Sequence, residues 1–153
     1  MTSSQCVSRL PLLLALAVST ACFGDDPFTP QINGSMTALV DGVSFTAIAT
    51  QAVRQSGGVV LGGSDAAGNT IGIGFMDMGI GPYEILDPDL TNASYTSGGT
   101  AWTANASQGS GTIVITALTD TNVAGTFTLT LVGTGGPVSA ERQITSGAFN
   151  IEF

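Results

Sequence analysis

The sequence predicts an all-β fold: a single antiparallel β-sandwich or barrel-like domain of about eight to ten short strands, preceded by a signal peptide. Three observations carry this expectation. No stretch after residue 34 keeps apolar residues at helical spacing for three turns. Short alternating segments rich in Thr, Val, Ile and Phe recur instead. Between them stand clusters of Gly, Asn, Asp and Ser, the residues that let a chain turn sharply. Parallel α/β architecture is excluded, because no segment can supply its crossover helices.

The first element, residues 1–21, reads as an export signal. Arg9 is its charge, and residues 10–18 (LPLLLALAV) form an apolar run of nine. Nine residues fall well short of the roughly twenty that a spanning helix needs. The run ends in Ser19-Thr20-Ala21-Cys22. This resembles the lipobox of bacterial lipoproteins, which implies that Cys22 is acylated and becomes the new N-terminus. Ser19 stands where that box usually has Leu or Val, and Ser19-x-Ala21 also suits the ordinary signal peptidase, which cuts the same bond. The alternative is therefore a soluble secreted protein with a bare thiol. Phe23 follows the cysteine, so no acidic residue marks inner-membrane retention, and the expected address is the outer membrane. Residues 22–34 read as a flexible tether, since two prolines and the Asp25-Asp26 pair oppose helix.

The strands follow. Residues 35–40 and 43–50 flank Asp41-Gly42, a two-residue hairpin signal that asks for positive φ at both positions. Residues 59–61 and 70–75 flank a Gly/Ser/Asp/Asn loop and form a second hairpin. Shorter strands are expected at 83–86, 94–96 and 100–105. Residues 112–118 and 123–132 surround the turn Thr119-Asp120-Thr121-Asn122. In the second of these, Phe127, Leu129 and Leu131 share one face while Thr126, Thr128 and Thr130 share the other. That is the pattern of a half-buried antiparallel strand. Residues 143–145 and 148–153 close the sequence, with Phe149, Ile151 and Phe153 turned inward. The domain as a whole is expected over residues 35–153.

Several of these segments are familiar together: Ala38-Leu39-Val40-Asp41-Gly42-Val43-x-Phe45-x-Ala47, Gly81-Pro82-Tyr83, Gly111-Thr112-Ile113-x-Ile115-Thr116, Gly125-Thr126-Phe127 and Ile144-Thr145-x-Gly147-x-Phe149. They resemble an uncharacterised family of small bacterial envelope lipoproteins, a domain of unknown function. The resemblance spans about residue 35 to the C-terminus. It implies an all-β lipoprotein and brings no catalytic residues with it.

Composition bounds the chemistry. After Cys22 the sequence holds two arginines, Arg54 and Arg142, and eleven acidic side chains, a formal charge of −9. Nucleic acid is not a partner for such a surface, whose few cations cannot neutralise phosphates. With no His there is no Ser-His-Asp or Cys-His nucleophile and no His-held zinc. With no Lys there is no Schiff base and no P-loop. No cofactor is implied, and the chain reads as non-enzymatic: a surface binding or structural module, attached to the membrane by its lipid, with a glycan or a protein as ligand. The alternative is a carboxylate-dependent hydrolase of polysaccharide, which needs two facing acids among Asp65, Asp77, Glu84, Asp87, Asp89 and Asp120.

Four further features are candidates. Asp87 and Asp89 are weak calcium ligands on a proline-stiffened loop. Trp102 and Tyr95 lie on short, otherwise polar segments, where exposed rings would stack on a sugar or a partner; burial in the core is the ordinary reading of such rings. Gly72-x-Gly74 leaves one strand face bare, fit for a groove or for close packing. Arg142 is expected to snorkel or to pair with a carboxylate at a sheet edge.

Overall fold

A computed structural model describes residues 33–85, 91–134 and 140–153 of the chain. Among these residues there are eleven strands, all paired antiparallel, and no helix. The strands are β1 (Gly34–Val40), β2 (Val43–Thr46), β3 (Ala49–Gln55), β4 (Gly58–Ser64), β5 (Thr70–Met76) and β6 (Gly81–Glu84). They continue with β7 (Thr91–Ser97), β8 (Thr100–Ala104), β9 (Ser110–Leu118), β10 (Asn122–Thr134) and β11 (Arg142–Glu152). All belong to one curled sheet that forms a half-barrel. Its main order is β2-β1-β11-β10-β8-β7-β5-β4-β3, with β9 and β6 branching from β10.

The branch exists because β10 is long, at 13 residues. Its first part pairs with β9 from Val123 to Thr130, and its last three residues, Val132 to Thr134, pair with β8. One strand thereby belongs to two walls. The walls meet a second time at residues 47–48, where Ala47 N–H donates to the Met36 carbonyl of β1 and Ile48 N–H to the Ser64 carbonyl of β4. This corner divides residues 43–50, expected as one strand, into β2 and the start of β3. A strand running straight through would stay in one wall.

The closing segment departs from expectation in the opposite sense. Residues 143–145 and 148–153 are one strand, β11, carrying a bulge. Thr37 pairs with Ala148 but Leu39 with Thr145, and Phe127 pairs with Gly147 but Leu129 with Ile144. One extra residue of β11 is thus taken up against both neighbours. Ser146 sits in the bulge at φ 50°, a left-handed conformation that costs a non-glycine residue about 1 kcal/mol.

The alternation read from sequence fills the inside of the curl. Leu129 and Leu131 are fully buried and Phe127 nearly so, while Thr126 and Thr128 face out. Ile71, Ile73, Ile113, Ile115, Ile144 and Ile151 complete the same core. The first hairpin forms as its dipeptide requires, with Asp41 at φ 50° and Gly42 at φ 81° joining Val40 to its partner Val43.

Two Gly-x-Phe triplets lie side by side on β10 and β11. Gly125 faces Phe149, and Phe127 faces Gly147. Each ring lies over the glycine opposite, and the two ring centroids are 6.2 Å apart. A Cβ on Gly147 would sit 2.5 Å from the Phe127 ring, and one on Gly125 would sit 2.8 Å from Phe149 Cζ. The glycines are therefore the sockets of the two rings, and they set the packing at the centre of the curl.

Candidate functional site

Trp102 and Tyr95 occupy neighbouring strands, β8 and β7, as direct partners with ring centroids 5.7 Å apart. Both are only 7% exposed. Of the two readings of these rings, burial in the core is the one formed, because alternation along β7 and β8 turns both inward, and no exposed aromatic platform for a ligand exists there. The Trp102 indole N–H donates to the Ala140 carbonyl at 2.9 Å. The Arg142 guanidinium lies 4.7 Å above the indole ring.

Arg142 also meets the carboxylate expected of it. Its Nη1 donates to Asp41 Oδ2, and Asp41 Oδ1 accepts the Gln143 backbone N–H at 2.9 Å. The hairpin turn at the end of β1 is thereby fastened to β11 and, through Arg142, to the Trp102 ring. The Arg142 hydrogen bond, followed by that from Gln143 N–H, holds the Asp41 carboxyl below its ordinary value of 3.8. A group whose folded pKa is depressed contributes stability above the ordinary value, and that contribution is lost as the pH falls below it. Asp41→Asn, which keeps a residue tolerant of positive φ, is expected to lower stability at pH 6. The gap to the parent protein should close towards about pH 2, as protonation discharges Asp41 in the parent as well. Urea titrations of both proteins across that range check this, and a gap independent of pH would show that charge is not the cause.

Four of the other carboxylates among the described residues have a hydrogen-bonding or ion-pair partner. Asp65 closes its own turn, accepting from the backbone of Ala67 and Asn69 and from the Asn69 side chain. Glu84 accepts the Thr112 hydroxyl at 3.0 Å. Asp77 and Asp120 each stand 3.6 Å from Arg54, which lies between them. No cluster of three metal-ligating side chains occurs among the described residues. Asp87 and Asp89 lie outside the described residues, as do Cys22 and the tether up to residue 32.

The bare face at Gly72 and Gly74 is filled from β7. A Cβ at Gly72 would stand 2.8 Å from Ser94 Oγ, and one at Gly74 would stand 3.0 Å from the Asn92 amide. Polar side chains occupy the space where the sequence suggested a groove or an aromatic ring.

An open groove of about 310 Å³ lies elsewhere, on the outer face of β9, β10 and β11. Thr112 and Val114 come from β9, Thr126 and Thr128 from β10, and Ser146 and Ala148 from β11. Strand register explains the set: Val114, Thr126 and Ala148 form one cross-strand row, and Thr112 and Thr128 begin the next. The bulge then brings Ser146 beside that second row. The result is four hydroxyls set among methyl groups, with no titratable side chain in the lining. Glu84 stands at the margin, through its bond to Thr112. Sequence reading places Thr126 and Thr128 on the wet face but cannot assemble this site, whose eight lining residues, Phe127 and Gly147 included, come from three strands joined only by register.

Among the described residues, no helix is long and apolar enough to cross a membrane. No curated protein and no solved structure matches the chain. Residues 32–150 match the family described as Domain of unknown function (DUF6252), and since that match covers most of its length, the chain belongs to this family.

Proposed function

We propose that the chain is a non-enzymatic envelope module, held at a membrane through acylated Cys22, that binds a neutral oligosaccharide in the groove over β9, β10 and β11. The groove itself is the observation that carries the ligand class. Hydroxyls of Thr112, Thr126, Thr128 and Ser146 can both donate and accept, as sugar hydroxyls do. The methyl groups of Val114, Ala148 and the threonines suit the C–H faces of a sugar ring. The absence of charge in the lining favours a neutral ligand over an ionic one. Its volume is at the lower end for a small-molecule site, which fits one or two sugar units rather than a large ligand. The bulge supports the same reading, since left-handed Ser146 is strained and its position serves the groove. The anchor is supported by the lipobox-like Ser19-Thr20-Ala21-Cys22 and is tested by the mass of the N-terminal peptide.

The binding reading is tested by titrating neutral oligosaccharides into the labelled protein and following backbone amide shifts. Shifts are expected at residues 112–114, 126–128 and 146–148. Ser146→Gly removes a hydroxyl and the left-handed strain together, so its stability stays within about 1 kcal/mol of the parent. Its affinity should fall about tenfold, the equivalent of losing one good hydrogen bond. Shifts confined to other faces, or unchanged affinity in both Ser146→Gly and Thr128→Val, would overturn this placement.

A further inference from the structure

We propose that the pole at which the chain enters the domain is a lipid-facing surface, with Met78 and Ile80 as the side chains that enter the membrane. The proposal rests on the reading of Cys22 as the anchor.

The geometry starts at Asn33. Its carbonyl accepts the Glu152 N–H, and next along, Phe153 N–H donates to the Thr121 carbonyl. The Phe153 ring lies 4.7 Å below the Arg54 guanidinium, and Arg54 reaches Asp120 on one side and Asp77 on the other. Asp77 N–H donates to the Gly57 carbonyl. An unbroken series of contacts thus joins the entry point of the chain to residues 77–80.

That loop is fixed, not loose. The Tyr83 hydroxyl donates to the Gly79 carbonyl at 2.6 Å and accepts the Met78 N–H at 3.2 Å. Its backbone is tied inward while its apolar side chains point out, Met78 at 62% exposed and Ile80 at 69%. Met76, two residues earlier, is 38% exposed. Three exposed large apolar side chains therefore lie within five residues. Unbranched Met and bulky Ile, held on a rigid loop, are a surface that water disfavours and an acyl layer accepts.

Chain length selects the occupant. Ten residues lie between Cys22 and Asn33, so the pole can stand at most about 40 Å from an anchored cysteine. A protein partner has no such constraint to bring it here. Charge selects the lipid: Asp77, Asp120 and Glu152 outnumber Arg54 around this pole, so the headgroups are zwitterionic, since an anionic surface would repel it.

The test uses the exported protein purified from the envelope. The mass of its N-terminal peptide is read first. The protein is then held on phosphatidylcholine vesicles containing brominated acyl chains, by its own lipid or, where Cys22 proves bare, by coupling the thiol to a maleimide lipid. Tryptophan is placed at Ile80, at Met78, or at Val43, which is 70% exposed and lies beyond the far end of β1. Trp102 is buried and contributes the same background to all three. Bromine is expected to quench Ile80→Trp and Met78→Trp at least twofold more than Val43→Trp. Equal quenching at the three positions, or none, overturns the docking surface. A bare Cys22 overturns the anchor alone, and the quenching of the coupled protein still decides the surface.

Discussion

Trp102→Ala is expected to lower the unfolding free energy by about 4 kcal/mol, the range found when a buried large aromatic is truncated. Three interactions go at once. The indole leaves a cavity against Tyr95, the Ala140 carbonyl loses its donor, and Arg142 loses the ring beneath its guanidinium. Each depends on position: the ring is 7% exposed, so the cavity stays dry and cannot collapse cheaply. Trp102→Phe separates the contributions. It keeps most of the ring contact with Tyr95 and drops the indole N–H, so the cost falls to about 2 kcal/mol. Urea unfolding followed by far-ultraviolet circular dichroism measures both. A loss under about 1 kcal/mol for Trp102→Ala would mean that the ring is not part of the core. The same experiment decides between the two roles considered for this residue, because an exposed binding aromatic is removed with little effect on folding.

Gly147→Ala should destabilise the domain by about 3 kcal/mol, although it adds a single methyl group. That carbon would stand 2.5 Å from the Phe127 ring, far inside van der Waals contact. Phe127 cannot move aside freely, since its other flank meets Phe149, which is seated on Gly125. The decisive measurement is a double-mutant cycle with Phe127→Leu. If the socket explains the cost, the two changes are strongly coupled, and Gly147→Ala loses most of its penalty once Phe127→Leu is also present. Additive effects would point instead to the backbone of the bulge. Ser146→Ala is a useful companion, because it touches the same bulge without entering the socket.

Local patterns in the sequence specify strands well and specify their meetings poorly. Phe127, Leu129 and Leu131 announce their buried face through a period of two, because that period is a property of one strand's backbone. Asp41-Gly42 announces its hairpin for the same local reason. The corner at Ala47 and Ile48 is silent, since its cause is a pair of carbonyls on β1 and β4 that happen to face it. The bulge in β11 is silent too. Ser146-Gly147 reads as a break between two strands, whereas β1 and β10 hold the chain on both sides and make it one. Trp102 and Tyr95 were ambiguous because of their neighbours: Thr, Ser and Gly around them suggest solvent, but only alternate residues face it. The pairing of Arg142 with a carboxylate was legible from its place in the strand pattern. That the partner is Asp41, 101 positions away, was not. Of the groove residues only Thr126 and Thr128 were legible as wet, and the rest stayed scattered until register brought three strands together.

The pairing of β1 with β11 has a kinetic consequence. Gly34 meets Ile151 and Val40 meets Ile144, so the first and last strands are direct neighbours in the sheet. Closing a loop of that length costs about 4 kcal/mol of chain entropy before any contact repays it. Hairpins such as β4–β5 and β7–β8 need no such closure and can form early. The β1–β2 hairpin, by contrast, is laddered to β10 only through β11. Folding of this domain is therefore expected to be slow for its size, and a chain lacking residues 142–152 loses the strand through which the β1–β2 ladder reaches β10.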